Sequence, residues 1–226
     1  MRDWTAITIE FLIVVLGVYA AFELDRWREA EADRRANKAF VELLGIELGE
    51  ELPAARRSLE SWRQVREDQA AAMRWLNGVE PAAAFTPDMC RGVFQSGLPV
   101  WTPTRLEAAR FFGTGGQSQE MQDVELRRQL FGLAALQEAG DAVFFRFVFQ
   151  SVHIPDHYPE LLKRSDREVA EFRDDLGCDA EAMRASQAFK NQFFSNAGRQ
   201  RALLSFHEDE LELLEAIAAR VDELRN

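Results

Sequence analysis

Cysteine is scarce in this chain of 226 residues, which contains only two. Two cysteines are too few for a disulfide framework or a cysteine-rich metal site. Cys90 and Cys178 either form one bridge in an oxidising compartment or remain two separate buried thiols. The sequence leaves both possibilities open.

Histidine is almost as rare, with three residues. Two of them lie in His153-Ile-Pro-Asp156-His157, where two imidazoles and a carboxylate suit zinc. Pro155, however, prevents the helical i,i+4 pair of zinc proteases, and no third strong ligand is close in sequence. We therefore predict a polar loop with no metal and no cofactor. The third histidine, His207, is predicted to lie on a solvated helix face.

Positive charge is also in short supply: 27 Lys and Arg face 38 Asp and Glu, a net charge of −11. Nucleic-acid binding needs a clustered basic surface, so nucleic acid is not expected as a partner. Acidic residues lie three and four positions from basic ones, which is the spacing of surface ion pairs. No serine or cysteine has a nucleophile-elbow setting. Segment 113–119 lacks the ending of a phosphate-binding loop and is predicted to be a flexible connection between helices. The protein is predicted not to be an enzyme.

A long hydrophobic run is missing as well, because the uninterrupted apolar run covers only residues 11–22. That length suits a signal-peptide core or a buried helix as well as a membrane segment. The wider stretch 4–27 is flanked by Trp4 and Trp27, which a helix would hold about 34 Å apart, close to the thickness of a bilayer core. We predict a transmembrane anchor over residues 1–27, with both tryptophans at the membrane interfaces. Residues 28–226 then form an extramembrane domain.

The predicted anchor has one polar stripe. At about 100° per residue, Glu10, Val14, Gly17, Ala21 and Leu24 share a narrow helix face. A carboxylate in the hydrocarbon costs a few kcal/mol unless it is partnered, and a small-xxx-small pair lets another helix approach closely. We predict that this face docks on a helix of another membrane protein or of a second copy. The alternative is that Gly and Ala are there only because they are common in membrane helices.

The fold class is predicted to be all-α: the N-terminal transmembrane helix continues into a helical bundle. No strand-like alternation appears, and Pro53 either kinks the first helix or begins a second one. Further helices are predicted at about 52–76, 87–95, 104–112, 120–152, 160–176, from Asp179 onward, and 199–224. Asn77-Gly78 is predicted to end the first of these, and residues 196–198 are predicted as a weak break before the last. The aromatic segment 142–149 is predicted to lie in the domain core, or else on a face that a partner closes.

Two segments resemble a family of single-pass bacterial membrane proteins. Trp4-Thr-Ala-Ile-Thr-Ile-Glu-Phe-Leu-Ile-Val-Val-Leu-Gly-Val18 is similar to the family opening W-x-A-I-x-[IL]-[DE]-F-x-I-V-V-x-G-V. Asp123-Val-Glu-Leu-Arg127, after a glycine-rich turn, is similar to its D-x-x-L-R segment. The chain departs from the family in having Glu23 and Asp25 where polar amides stand, and in lacking a basic leader. The resemblance implies an inner-membrane protein with a helical periplasmic domain, and it brings no catalytic residues.

The charges around the predicted anchor favour a cytoplasmic domain rather than a periplasmic one. Basic residues follow the span at 26, 28, 34, 35 and 38, and only Arg2 precedes it, so the positive-inside rule places the domain in the cytoplasm. We expect a periplasmic domain on the resemblance, with the cytoplasm as the alternative. The predicted function is a non-enzymatic accessory or scaffold subunit that contacts lipid and other membrane subunits or itself. The alternative is a membrane-anchored ligand-sensing domain.

Overall fold

The computed structural model describes residues 4–79, 84–97, 100–109, 121–164 and 176–225, with the side chains of 4–10, 163, 164 and 176 outside that description. Within these ranges six helices form a bundle with one small hairpin, so the all-α prediction is confirmed. The helices are α1 (Trp4–Leu76), α2 (Pro87–Gln95), α3 (Val124–Gln150), α4 (Ile154–His157), α5 (Ala180–Ala185) and α6 (Gln187–Arg225). The antiparallel strands are β1 (Leu162–Arg164) and β2 (Leu176–Cys178).

The first helix is a single rod of 73 residues, as predicted for its first half. Pro53 lies inside it and neither ends it nor begins a separate helix. An interior proline removes a backbone hydrogen bond at a cost of about 3 kcal/mol. Leu52 and Ala55, on either side of Pro53, pack against a hydrophobic core, and this burial opposes the loss.

The end of α1 is fixed by a glycine turn at the predicted Asn77-Gly78 boundary. Gly78 has a φ of 75°, a left-handed conformation that favours glycine. The Gly78 N–H donates to the Trp75 carbonyl at 2.9 Å and the Val79 N–H donates to the Arg74 carbonyl at 3.0 Å. This pair of bonds is the Schellman motif, which satisfies the last carbonyls of the helix.

Two of the other helices begin where their capping residues predict. The Thr86 hydroxyl accepts a hydrogen bond from the Met89 N–H at 3.3 Å, ahead of Pro87, the first residue of α2. The Asp179 carboxylate accepts one from the Ala182 N–H at 3.0 Å at the start of α5. Each side chain satisfies a backbone donor that the first turn of a helix leaves unpaired.

α6 returns antiparallel to α1 along most of the bundle. Arg225 pairs with Glu42 at 3.0 Å and Arg56 with Glu215 at 2.8 Å. Further from the N terminus, Gln69 donates to Gln200 at 2.5 Å. α3 packs on α6, and α2 packs on the end of α1.

The described residues of the bundle form two hydrophobic cores. The proximal core lies beside the middle of α1 and is built from α1, the segment 106–108, α3 and α6; its fully buried members include Leu44, Leu126, Leu214 and Ile217. The distal core lies at the end of α1 and includes Leu76, Val93, Met183, Phe189 and Phe193.

The predicted helix at 160–176 is wrong at both ends. Residues 162–164 and 176–178 are extended and pair, with Leu162 opposite Cys178. Leu162 is buried in the distal core, and Cys178 is bonded to Cys90 of α2, so contacts distant in sequence hold both strands. Residues 165–175 lie outside the described residues.

The predicted break at residues 196–198 is also wrong, because α6 runs through it. Asn196 is fully buried, and its side-chain amide donates to the Val152 carbonyl at 2.8 Å. An asparagine often competes with helical hydrogen bonding, but here its side chain binds the segment that follows α3. The predicted helix at 104–112 is helical at 107–109, whereas residues 104–106 are not helical and residues 110–112 lie outside the described residues.

The aromatic segment 142–149 does not lie in the domain core. Phe145 is 60% exposed and Phe149 is 87% exposed, while Phe144 is half-buried. Phenylalanine on every side of the segment therefore does not mean burial on every side. The prediction of a core position is corrected, and the exposed rings form a face of α3.

Candidate functional site

The first part of α1 projects from the bundle. Every side chain from residue 11 to residue 30 is exposed, and the large apolar residues among 11–24 have exposed fractions between 44% and 67%. The first contacts with the proximal core are those of Phe40 and Val41, and Leu44 is the first fully buried residue. Large contiguous apolar surface on a protein marks an interaction site.

The predicted docking stripe lies in this projecting part. Val14 is 59% exposed and Leu24 is 48% exposed. A Cβ built on Gly17 meets no atom within 4 Å, and Ala21 is exposed. The side chains of Glu10 and Trp4 lie outside the described residues, whereas Trp27 is 58% exposed. The four described stripe residues are thus open to a partner.

A charged segment follows the apolar one. Glu23 pairs with Arg26 at 3.6 Å, and Glu31 pairs with Arg34 at 3.2 Å and with Arg35 at 3.5 Å. All three are pairs within the helix at i,i+3 or i,i+4 spacing, worth a few tenths of a kcal/mol each. They stabilise α1 between its apolar start and its first contacts with the proximal core.

No helix in the described part of the chain has both the length and the apolar character needed to cross a membrane.

The His153 segment forms a short helix rather than a loop. His153 Nδ1 lies 2.7 Å from Asp156 Oδ2, with side-chain exposures of 38% and 81%. His157 instead packs edge-on against Tyr158 with the ring centroids 5.1 Å apart. Among the described residues, no group of three or more His, Cys, Asp or Glu side chains is placed to hold a metal ion.

A buried polar layer, which hydrophobic spacing did not predict, lies along α6 between its residues in the distal core and its residues in the proximal core. Glu210 is 3% exposed, and its Oε1 accepts hydrogen bonds from the Thr104 N–H at 2.8 Å and from Gln137 Nε2 at 2.9 Å. Gln137 Nε2 also donates to the Thr104 carbonyl at 2.7 Å. A buried carboxylate is tolerated when its hydrogen bonds are satisfied, and these bonds join α3, α6 and the segment before residue 106.

His207 belongs to this layer, and its predicted solvated position is wrong. It is 8% exposed, its ring centroid lies 4.7 Å from that of Trp101, and its Nδ1 lies 3.8 Å from Glu210 Oε2. The sequence carries a signal for this position: His207 and Glu210 continue the three- and four-residue spacing between Leu203 and Leu214, which are both buried. Because both side chains are polar, this spacing did not identify them as buried.

A small cavity borders His207. Its volume is about 20 Å³, and its walls include Trp62, Gln69, Gln200 and Leu204. The imidazole Nε2 has no hydrogen-bond partner among the described residues. A space of this size matches about one water molecule and no organic ligand.

A second buried charge lies beside the distal core. Asp68 is 5% exposed, and its Oδ2 lies 2.9 Å from Arg91 Nη2 of α2. The hydrogen bond with Asp68 is the main reason why the pKa of Arg91 is raised above its usual value. Gly92, next to Arg91, lets the two helix backbones approach: a Cβ there would lie 2.8 Å from the Asp68 carbonyl carbon.

Asp123 links α3 to α6. Its carboxylate accepts a hydrogen bond from the Leu126 N–H at 2.7 Å and forms an ion pair with Arg220. The Arg220 guanidinium is the largest cause that lowers the pKa of the Asp123 carboxyl below its usual value, while partial burial opposes the shift.

The two cysteines form a disulfide, which decides between the two possibilities that the sequence left open. Cys90 of α2 and Cys178 of β2 are bonded, with their Cα atoms 5.8 Å apart and a sequence separation of 88 positions. Cys90 is 2% exposed and belongs to the distal core. The bond therefore ties the hairpin to the helices.

A groove of about 570 Å³ lies where α1 leaves the bundle. Apolar side chains and charged groups line it in similar proportion: Phe40, Val41, Met121, Leu126 and Leu224 with Lys38, Glu42, Asp123 and Arg225. The glycine-rich segment 113–119 lies outside the described residues, so its predicted role as a connection stays a prediction.

Comparison of the chain with protein-family models, with curated proteins and with solved structures finds no match. The fold and the exposed surfaces alone therefore define what the chain is: a helical bundle with a projecting apolar helix.

Proposed function

We propose that this protein is a non-enzymatic, single-pass protein of the bacterial inner membrane that serves as an accessory or scaffold subunit. One observation carries the proposal: the apolar start of α1 projects from a bundle that covers none of its described side chains. Apolar surface that stays exposed to water is unfavourable by about 25 cal/mol for each Å² of its accessible area. Lipid and a partner helix remove that cost.

The length of the helix fits this role. Trp4 and Trp27 bracket a stretch of about 34 Å, and residues 11–24 supply its apolar middle. Glu10 lies inside this stretch, where a carboxylate without a partner is unfavourable by a few kcal/mol. It shares a face with Val14, Gly17 and Ala21, so a partner helix on that face would shield the carboxylate from lipid.

The disulfide supports a periplasmic domain. Structural disulfides persist in oxidising compartments and are rare in the cytoplasm. The basic residues after Trp27 favour the cytoplasm under the positive-inside rule, but that rule describes a bias in insertion, whereas a bond between two distant cysteines needs an oxidising environment. We give the disulfide more weight.

A ligand-sensing domain is the second candidate, and the groove beside Phe40 supports it. A ligand there would contact α1 where the helix leaves the bundle, so that binding would act directly on the helix that enters the membrane. A thermal-shift screen tests this candidate, since a ligand that binds only the folded chain raises its melting temperature. No stabilisation by any compound would count against it.

Extraction of membranes tests the anchor. We expect the full chain to remain in the membrane pellet after carbonate washing and to leave it only in detergent. Release by carbonate alone would contradict the proposal.

Thiol labelling of a cysteine introduced at Ala188, an exposed position of α6, tests the compartment. A membrane-impermeant reagent added outside the inner membrane should label it, and protection until lysis would place the domain in the cytoplasm.

Substitutions on the stripe test the docking face. Gly17→Ile and Ala21→Ile place bulk where a helix would approach, whereas Val15→Ile adds bulk on the opposite side of the same helix. Crosslinking in the membrane should lose its partner or dimer product with the first two variants and keep it with the third. Equal products from all three would contradict docking through this face.

A further inference from the structure

The outward face of α3 carries apolar residues at six of eight successive coiled-coil positions. The α3 seam, as we name it, consists of Val124, Phe131, Glu138 and Phe145 at intervals of seven, each followed four residues later by Arg128, Ala135, Ala142 and Phe149. All eight are exposed, from 55% at Phe131 to 87% at Phe149 among its aromatic rings. Alternating steps of three and four residues are the period of helices that supercoil around a partner.

The membrane that holds α1 cannot cover the aromatic end of the seam. The segment after α3 is held by Asn196 of α6, whose amide binds Val152, and Gln200, one turn further, lies against Gln69 of α1. Gln69 is about 60 Å along the helix from Trp27. Lipid of that bilayer lies far below this level. A protein surface is the cover that remains.

We propose that the α3 seam pairs with the same seam of a second copy of this chain, parallel and in register, on one membrane. The orientation rests on the proposed function, because the anchor sets it. α1 and α3 both run antiparallel to α6. Arg56 pairs with Glu215 while the later Gln69 contacts the earlier Gln200. Asp123 pairs with Arg220 while the later Gln137 contacts the earlier Glu210. Two copies anchored side by side are related by a two-fold axis along the membrane normal, which sets each seam residue opposite its own counterpart.

The charges that flank the seam fit this arrangement. Ala142 occupies heptad position a, and Phe145 occupies position d. In a parallel pair, the residue before a position-a residue faces the residue five positions further along the partner helix. Asp141 precedes Ala142, and Arg146 follows Phe145, so each Asp141 meets Arg146 of the other copy. Asp141 is already held on the flank, since it accepts a hydrogen bond from Trp101 Nε1 at 2.8 Å and pairs with Arg105 at 3.3 Å.

Two layers of the seam oppose the pairing. Glu138 faces Glu138 of the other copy and Arg128 faces its own counterpart, and like charges repel. Polar residues at such positions lower stability while fixing register. Removing the carboxylate should therefore strengthen the dimer.

Cysteine crosslinking of the full chain in lipid nanodiscs tests the register. A disulfide needs Cα atoms within about 7 Å, which only a parallel, in-register pair provides for Ala135→Cys with itself and for Ala142→Cys with itself. We expect both to form dimers on mild oxidation, and Ala188→Cys on α6 to stay monomeric. A crosslink only in a mixture of Glu138→Cys with Ala142→Cys would indicate an antiparallel pair and overturn the proposal.

Substitutions on the seam test its contacts. Phe145→Glu in the Ala142→Cys background removes an exposed ring and should weaken dimerisation about thirtyfold or more. Arg146→Glu should weaken it and Glu138→Leu should strengthen it, with the melting temperature of the monomer as the check on folding. Unchanged crosslinking in Phe145→Glu would overturn the proposal.

Carbonate extraction and crosslinking of membranes that contain the same variants separate this inference from the proposed function. A chain that stays in the membrane without crosslinking at 135 or 142 keeps its anchor and refutes the seam. A chain released by carbonate refutes the anchor, and crosslinking of the released chain then decides the seam independently.

Discussion

At the scale of single residues, buried polar groups hold the middle of the bundle. Glu210 accepts two hydrogen bonds and is almost completely buried, whereas Glu208, two residues earlier, pairs with Arg63 at 3.1 Å with 37% of its side chain exposed. A buried acceptor that is removed leaves its donors unsatisfied, and an exposed ion pair adds little. Neighbouring glutamates on one helix therefore differ in their importance for stability.

The pair Glu210→Ala and Glu208→Ala measures this difference. We expect Glu210→Ala to lower the free energy of unfolding by about 2–4 kcal/mol, because Thr104 N–H and Gln137 lose their acceptor. Glu208→Ala should cost less than about 1 kcal/mol. Urea unfolding in detergent gives both values, and an equal loss in the two variants would contradict the buried network.

The Asp123 carboxylate predicts a dependence of stability on acid. Because Arg220 lowers its pKa in the folded state, the ionised form stabilises the fold above the unfolded pKa of about 4, and that stabilisation is lost as pH falls through the lower folded value. Asp123→Asn removes the titration. Its destabilisation should therefore be largest near pH 7 and shrink toward about pH 3.

Thermal melts of the unsubstituted chain and the Asp123→Asn variant across this pH range give the comparison. The control is the same substitution in an Arg220→Gln background, where the pH-dependent part should be much smaller because the cation is gone. A difference in melting temperature between the two proteins that stays constant with pH would show that the ion pair does not set the effect.

At the scale of elements, glycine decides how closely two helices pack. A Cβ at Gly92 of α2 would lie 2.8 Å from backbone atoms of Asp68 and Gln69, whereas one at Gly49 of α1 meets nothing within 4 Å. We expect Gly92→Ala to destabilise the fold by about 1–3 kcal/mol through overpacking. Gly49→Ala should stabilise it by up to about 1 kcal/mol through helix propensity. Denaturant midpoints measure both, and the same sign for the two would contradict the packing of α2 on α1.

Elements whose ends are set locally could be predicted from the sequence. Thr86-Pro87, Asn77-Gly78 and Asp179 each place a cap or a stop within a few residues, and the structure has helix ends at all three. The hairpin could not be predicted, because Cys178 and Leu162 are held by partners distant in sequence. The same holds for Asn196, which suggests a helix end until its bond to Val152 is known.

At the scale of the whole molecule, the bundle is stabilised by side chains buried in its cores, whereas residues 11–30 of α1 bury no side chain. The all-α class follows from helical spacing throughout the chain. Of the predicted docking face, the structure describes four side chains and leaves them uncovered. The buried layer of His207 and Glu210 was missed because hydrophobic spacing cannot identify a polar residue whose hydrogen bonds are satisfied in the fold.

Truncation tests this division. The first core contact is made by Phe40, and residues 11–30 contribute no buried side chain. A chain that begins at residue 28 should therefore stay in solution without detergent and melt cooperatively within a few degrees of the full chain. A chain that begins at residue 49 lacks Leu44 and Leu48, two buried members of the proximal core, and should lose about 4 kcal/mol or more. Circular dichroism melts with the disulfide intact measure both, and aggregation of the shorter deletion would show that the bundle depends on residues 1–27.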